Sequence, residues 1–165
     1  MSIISATTSL ETPLGFLILS ADETALVGIR IAKTALDQGQ TPLLREAAAQ
    51  LKAWFAGRLG DFDLPLAPAT TPRGMALRQA ICAIPYGDSA SYGEVARQAG
   101  SGPRAIGQAC RRNPLPIVVP CHRVIAAGQA IGHYSGGDGI ITKKWLLDHE
   151  QRHQSLRTEI NPWQK

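Results

Sequence analysis

Short apolar or alternating runs, separated by turn residues, fill the first part of the chain. The runs cover residues 3–4, 15–19 and 25–31, and the turns lie at residues 12–13 and 22–23. Runs of this length that are bounded by proline or acidic turn residues are typical of strands connected in sequence order. The pattern therefore predicts a small β-meander.

The hydrophobic period then changes to that of a helix. One apolar stripe lies within residues 43–56, formed by Leu43, Leu44, Ala47, Leu51, Trp54 and Phe55. Gly57 is a suitable end for this helix. Residues 61–72 contain three prolines among small residues and predict an extended linker. Residues 1–70 are thus expected to form an α/β lobe that carries no chemistry.

Four helices are predicted in the second half, over residues 73–83, 91–99, 103–112 and 142–150. Ser91 is a suitable N-cap for the second of these helices, and Glu94 completes a capping-box pattern. Ser101 is expected to cap the third. Because only the glycine-containing turn 100–102 separates the second and third helices, the pair predicts a helix-turn-helix.

The remaining apolar run, residues 117–119, predicts a buried strand that ends at Pro120, which cannot donate a backbone hydrogen bond. Residues 133–137 form a glycine-rich loop suited to lining a pocket, and the tail from Gln151 is expected to be loose. The predicted fold class is α/β (α+β). It comprises a small N-terminal lobe with its linker, residues 1–70, and a mostly helical domain, residues 71–165, with the helix-turn-helix and an active-site loop.

Cys121, directly after Pro120, is a candidate nucleophile. The thiolate is the reactive form of cysteine, and His122 and Arg123 beside it can favour that form. The alternative is a small apolar cysteine in the core. This stretch alone favours the nucleophile only slightly.

The third predicted helix carries little side-chain bulk. Ala105, Gly107, Gln108 and Ala109 leave a thin surface, and Arg104 lies at its edge. Such a helix can approach a nucleic-acid groove closely, while an arginine meets phosphates or fills a gap in a base stack. For the helix alone, close packing on another element with solvated arginines is the favoured alternative.

Basic residues are concentrated in the half that contains Cys121. The 165 residues include 17 Lys or Arg and 13 Asp or Glu, for a net charge of +4. Residues 1–70 hold five basic and seven acidic residues, and the rest of the chain holds twelve and six. This asymmetry is expected if the second half meets a polyanion.

Three widely spaced cysteines, Cys82, Cys110 and Cys121, argue against a disulfide framework and against a zinc site. No uninterrupted apolar stretch approaches the length of a membrane span, and no N-terminal signal segment is recognisable. The expectation is a cytoplasmic protein with free thiols, without a metal or other cofactor and without a membrane partner.

Seven motifs of the second half resemble the O6-alkylguanine-DNA alkyltransferase family in order and spacing. They are IPYG at 84–87, SYG at 91–93, RAIG at 104–107, NP at 113–114, PCHRV at 120–124, YSGG at 134–137 and LLDHE at 146–150. Residues 12–15 and 54–57 resemble the family too, so the likeness covers most of residues 10–150.

The resemblance implies repair of DNA by direct reversal of alkylation damage. An alkyl group moves from guanine O6, and less readily from thymine O4, to Cys121 in one irreversible turnover, after the nucleotide has been flipped out of the duplex. The implied partner is double-stranded DNA, with the recognition helix in the minor groove. The protein is expected to be monomeric in solution, and cooperative binding along DNA is left open.

The resemblance also implies a role for each site residue. Cys121 is the acceptor, His122 takes the thiol proton through a water, and Glu150 orients His122. Tyr92 assists flipping and donates a hydrogen bond to the guanine ring nitrogen. Arg104 enters the duplex in place of the flipped nucleotide.

Other residues are implied in the pocket and the DNA contact. Asn113 shapes the turn around the active site, and Ser135 lies near guanine O6. The implied pocket residues are Pro120, Val124, Tyr134 and Ser135, and the implied groove residues are Ala105, Gly107, Gln108 and Ala109. The chain departs from the family at Arg73 and Arg78, where aromatic residues are common. Residues 1–70 contain no Cys or His for the N-terminal zinc site of some relatives.

Three alternative functions fit parts of the pattern. A non-enzymatic lesion sensor shares the binding apparatus but lacks the reactive cysteine, which this chain has. A Cys-His hydrolase would need a separate group to orient His122, and a base next to its nucleophile in sequence is awkward for acyl transfer. A DNA-binding regulator would use the helix-turn-helix alone.

Overall fold

The computed structural model describes residues 3–156. The chain divides between Ala67 and Pro68 into two compact units, and each unit contains both strands and helices. The mixed α/β class predicted from the sequence is confirmed. Within residues 3–156, no helix is long and apolar enough to cross a membrane.

The first unit contains a three-stranded antiparallel sheet. Its strands are β1 (Ala6–Thr12), β2 (Gly15–Ala21) and β3 (Leu26–Ala32), in the order β1-β2-β3. The meander is confirmed, but the position predicted for its first strand is wrong. Ile3 is 82% exposed and lies outside the sheet. The observed first strand, β1, is rich in Thr and Ser, so its apolar alternation is too weak to identify it from the sequence.

One helix, α1 (Pro42–Phe55), accompanies the sheet. Thr41 caps it by accepting a hydrogen bond from Leu44 N–H. The predicted apolar stripe is confirmed, since four of its members are buried: Leu44, Ala47, Leu51 and Trp54.

The segment predicted as an extended linker is partly paired with the sheet. Leu26 N–H donates to the carbonyl of Pro65 at 2.8 Å, and Ala67 N–H donates to the carbonyl of Leu26 at 2.9 Å. The predicted extended linker thus pairs with β3 at residues 65–67. Proline can occupy such a position because it accepts here and need not donate.

The second unit is mostly helical. Its helices are α2 (Pro72–Cys82), α3 (Tyr92–Ala99), α4 (Pro103–Arg111) and α5 (Ile140–Arg152). Two short parallel strands, β4 (Ala90–Ser91) and β5 (Val124–Ile125), pair with each other. Three single-turn 3-10 helices cover Cys121–Arg123, Ala127–Gln129 and Gln154–Leu156.

A tight turn joins α3 to α4 and completes the predicted helix-turn-helix. Gly100 ends α3 in the left-handed conformation, with φ of 65°, and Ser101 N–H donates to the carbonyl of Ala96. The prediction that Ser101 caps α4 is wrong, because Gly102 occupies the cap position without a side-chain bond. The Ser101 hydroxyl instead accepts from Arg73 at 3.0 Å.

Residues 117–119 do not form the predicted strand. Ile117 has φ of 74°, which a β-branched residue rarely adopts, and Val119 N–H donates to the carbonyl of Leu115. The segment is therefore a turn. Ile117 and Val119 are both buried, so the apolar run reports burial and not extended conformation.

The end of the second unit is more ordered than expected. Helix α5 continues past the predicted end, and Gln151 Nε2 donates to the carbonyl of Gly87 at 2.8 Å. The prediction of a loose tail is therefore wrong from Gln151 to Leu156. Its remainder, residues 157–165, lies outside the described residues.

Replacing Ser91 with alanine should reduce the free energy of unfolding by about 1 kcal/mol, because Glu94 N–H loses its acceptor at 3.1 Å. Ser101→Ala is the matched control, since Ser101 caps no helix, and should cost a few tenths of that amount. Urea unfolding followed by circular dichroism measures both losses. Equal losses for the two variants would contradict the assignment of the caps.

Candidate active site

Cys121 begins a single 3-10 turn that follows the turn at residues 117–119. Its backbone N–H donates to the carbonyl of Val119 at 2.8 Å, and Arg123 N–H donates to that of Pro120 at 3.0 Å. The side chain is only 5% exposed. The local chain thus holds the thiol within the second unit.

The Asn113 side chain forms hydrogen bonds with the turn that precedes Cys121 and with the thiol itself. Its side-chain amide donates to the carbonyl of Val119 at 2.9 Å and to Cys121 Sγ at 3.2 Å. Its Oδ1 accepts from Leu115 N–H at 2.9 Å. One side chain therefore spans both ends of the turn and places an N–H donor on the sulfur, where it can stabilise negative charge.

Glu150, on α5, is the buried centre of an ionic cluster. Burial disfavours its charge, but His122 and the guanidinium of Arg123 outweigh that effect and lower the pKa of Glu150 to about 2. Gly87 N–H also donates to Oε1 at 3.2 Å. Glu150 is therefore an anion at neutral pH and can only accept hydrogen bonds.

His122 is fully buried, and its Nε2 lies 2.8 Å from Glu150 Oε2. Since the carboxylate only accepts, Nε2 must carry the proton and donate. Burial lowers the pKa of His122, with Glu150 opposing, so the imidazole is neutral at neutral pH. In this tautomer Nδ1 is the basic nitrogen of the ring.

Arg123 joins three parts of the second unit. Its Nε and Nη2 donate to the two carboxylate oxygens of Glu150 at 2.9 and 2.8 Å, and Nη1 donates to the carbonyl of Ile84 at 2.7 Å. The guanidinium also lies 5.6 Å from the centroid of the Tyr86 ring. Arg123 thus supplies the countercharge of Glu150. Its contacts indicate a structural role and not activation of the thiol.

The thiol opens into a cavity of about 240 Å³. The lining residues are Tyr92, Gly107, Cys110, Arg111, Cys121, Ala126, Gly132, His133, Tyr134 and Ser135. The structure therefore brings together Cys121, Tyr92, Tyr134 and Ser135, as the resemblance implied. Pro120 and Val124, also named for the pocket, are buried and lie outside this lining.

The residues named on α4 divide between two faces. Gly107 lines the Cys121 cavity, whereas Ala105, Gln108 and Ala109 line a separate cleft of about 650 Å³ beside α2. Arg104 is exposed in the first turn of α4. The helix thus forms a wall of the thiol cavity while its first turn faces solvent.

Lys143, on α5, is a buried cation that the sequence analysis missed. Its Nζ donates to the carbonyls of Val124 and His133 at 2.6 and 3.1 Å, and burial lowers the pKa of the amine to about 8. It thereby ties β5 to the loop beside the cavity. Its spacing from Leu146 and Glu150 places all three on one helix face, and this spacing could have revealed it.

Cys110 is a second missed residue, because it lines the cavity together with Cys121. The neighbouring Cys110 thiol raises the pKa of Cys121, burial adds to this effect, and Asn113 opposes it. The neighbouring Cys121 thiol in turn lowers the pKa of Cys110, and burial opposes this. The Cys121 thiol is therefore protonated at rest and needs a base to become a nucleophile.

Two family models together match most of the chain. The "6-O-methylguanine DNA methyltransferase, ribonuclease-like domain" matches residues 6–68, and the "6-O-methylguanine DNA methyltransferase, DNA binding domain" matches residues 74–152. The second match contains the cavity and the ionic cluster described above.

Curated relatives agree with these matches. The chain is 40% identical over 156 residues to the constitutive methylated-DNA–protein-cysteine methyltransferase of Bacillus subtilis, covering 87% of this chain and 94% of that protein. It is 40% identical over 157 residues to the methylated-DNA–protein-cysteine methyltransferase of Mycobacterium leprae, covering 90% and 93%.

Solved structures have the same fold. The O6-methylguanine methyltransferase of Mycobacterium tuberculosis superposes with a TM-score of 0.76 at 35% identity. A structure of Mycobacterium tuberculosis OGT in complex with DNA superposes with a TM-score of 0.78 at 37% identity. Each comparison covers 88% of this chain and 92% of the other.

Glu150→Gln should reduce stability in a pH-dependent way. A carboxyl whose pKa is lowered by folding, here from about 4.5 to about 2, contributes stability above the higher value and loses it as pH falls towards the lower one. The contribution is about 3 kcal/mol. The difference in unfolding free energy between wild type and variant should be large at neutral pH and shrink as pH falls through this window.

Asp148→Asn is the control, because Asp148 is an exposed carboxyl on the same helix. Urea unfolding at a series of pH values measures all three proteins. A constant difference between wild type and Glu150→Gln across the window would contradict the ionised, paired state of Glu150.

Proposed function

This chain belongs to the 6-O-methylguanine DNA methyltransferase family, and we propose that it transfers an alkyl group from guanine O6 in DNA to Cys121 Sγ, once per molecule. Its activity is that of a methylated-DNA–protein-cysteine methyltransferase in DNA repair. The observation that carries the assignment of the acceptor is the cavity that Cys121, Tyr92, Tyr134 and Ser135 line together.

The thiol is activated from two sides. His122 Nδ1 accepts the Cys121 proton through a water, and the donation from His122 Nε2 to Glu150 keeps Nδ1 basic. The Asn113 amide then stabilises the thiolate through its existing bond to Sγ. Because burial opposes the thiolate, the proton leaves Cys121 only when the substrate is in place.

The transfer is an in-line displacement at the alkyl carbon. The C–S bond to Cys121 forms as the carbon–oxygen bond to guanine O6 breaks, and guanine leaves as the neutral base after gaining a proton. Tyr92, at the cavity wall, donates its hydroxyl to the guanine ring nitrogen, and Ser135 lies near O6. O4-alkylthymine, with its smaller ring, fills the same pocket less well and reacts less readily.

The product explains the single turnover. An S-alkyl thioether has no carbonyl for water to attack, so no group in the cavity can regenerate the thiol. The alkyl group stays on Cys121, and the protein acts as a stoichiometric reagent.

Residues 71–165 form the DNA-binding and alkyl-acceptor domain in this proposal. The alkyl group on O6 is buried within the duplex, so the nucleotide must be flipped into the cavity. The low bulk of α4 suits the minor groove, and the exposed Arg104 enters the base stack in place of the flipped nucleotide. We expect the protein to act as a monomer in the cytoplasm, where a free thiol persists.

Incubation with a duplex that contains O6-methylguanine should add one methyl group per protein molecule, mapped to Cys121. Cys121→Ser should add none, and Cys82→Ser, which removes an exposed cysteine outside the cavity, should behave as wild type. Intact mass spectrometry and peptide mapping measure both. Unchanged mass with tight duplex binding would indicate a sensor instead, and repeated turnover of an ester would indicate a hydrolase.

Arg104→Ala should slow repair in duplex DNA by about tenfold or more, since a missing wedge leaves the flipping cost, a few kcal/mol, uncompensated. Its reaction with the free base O6-benzylguanine, which needs no flipping, should be unchanged. Arg45→Ala, an exposed arginine on α1, is the control for charge. Equal slowing of the duplex and free-base reactions would contradict the role of Arg104.

A further inference from the structure

We propose that Cys110 is an oxidative modification site, which forms a reversible disulfide with Cys121 when a peroxide enters the acceptor cavity. Formation of this bond does not depend on the function proposed above. Its consequence, protection of the alkyl acceptor, does rest on that function.

The two thiols meet inside one cavity although they lie on different elements. Cys110 is in the last turn of α4, and Cys121 begins the 3-10 turn that follows. Both line the same cavity of about 240 Å³, so their side chains border one small space. We expect the disulfide to form across this space as the two side chains rotate towards each other.

The third cysteine has a different environment. Cys82 is exposed on α2 and is not among the residues that line this cavity. It therefore supplies an internal control for non-specific oxidation of thiols.

The surroundings of Cys110 shift its equilibrium towards the thiolate. The neighbouring Cys121 thiol lowers the pKa of Cys110, burial opposes this, and the buried ammonium of Lys143 lowers the pKa further. Asn113 donates to the sulfur of Cys121. A thiolate with a thiol next to it is the arrangement from which peroxide yields a disulfide.

The chemistry needs only hydrogen peroxide as the oxidant. The Cys110 thiolate attacks one peroxide oxygen, the oxygen–oxygen bond breaks, and hydroxide leaves, so that Cys110 becomes a sulfenic acid. The Cys121 sulfur then attacks the Cys110 sulfur, the sulfur–oxygen bond breaks, and water leaves with the Cys121 proton. Two thiols are oxidised by two electrons, and one peroxide is reduced to water and hydroxide.

The disulfide has a different outcome from alkylation. It blocks the acceptor for as long as it persists, but it also prevents oxidation of Cys121 to the irreversible sulfinic and sulfonic acids. A dithiol reductant restores both thiols by exchange. Alkylation inactivates the acceptor permanently, whereas a disulfide-bonded acceptor can be reduced and used again.

The test is limited oxidation of the full-length protein with hydrogen peroxide, followed by intact mass and peptide mapping without reduction. Wild type and Cys82→Ser should lose two hydrogen atoms and yield a Cys110–Cys121 linked peptide, and dithiothreitol should reverse both changes. Cys110→Ala and Cys110→Ser should instead gain oxygen atoms at Cys121. Circular dichroism checks that both variants are folded.

Mapping of the linkage to Cys82, or oxygen addition at Cys121 of wild type with Cys110 still reduced, would overturn the proposal. Transfer from O6-benzylguanine is measured on the same samples. Loss of transfer on oxidation and its full return with dithiothreitol is expected for wild type. If protein with a complete Cys110–Cys121 disulfide still accepted the benzyl group, the disulfide proposal would stand but Cys121 would not be the acceptor.

Discussion

A single buried carboxylate holds the active site together. Glu150 accepts from both His122 and Arg123, which are consecutive residues of the 3-10 turn that Cys121 begins, and from the backbone of Gly87. It is stable as an anion because His122 donates to it and Arg123 supplies a countercharge in the same buried space. The position of the thiol and the tautomer of His122 therefore depend on this one carboxylate.

In this arrangement the adjacent residues His122 and Arg123 have different roles, one chemical and one structural. Arg123 neutralises the carboxylate and reaches Ile84, which frees His122 to remain neutral and act as a base. On the other side of the sulfur, Asn113 holds the turn and donates to Sγ. The site needs to ionise the thiol once and needs no group that regenerates it, so a second thiol can occupy the same cavity.

The sequence predicted the elements whose period is regular and missed those whose geometry depends on distant contacts. Helix α1 and the cap at Ser91 follow from local spacing and local hydrogen bonds. The run 117–119 was misassigned because burial and extended conformation produce the same apolar signal, and the turn depends on Asn113. The resemblance named Cys121, Tyr92, Tyr134 and Ser135, which meet at the cavity. It did not name Cys110 or Lys143. The helical spacing of Lys143 indicates a buried face, but its partners, the carbonyls of Val124 and His133, lie on segments whose positions the sequence does not reveal.

The most direct test of this account is the protonation state of His122, read from nitrogen NMR of its imidazole ring in the reduced protein, with the signals assigned by comparison with His122→Gln. We expect a neutral ring with the proton on Nε2 at neutral pH, because burial lowers the pKa of His122 below its ordinary value. An imidazolium at neutral pH, or a neutral ring with the proton on Nδ1, would contradict it.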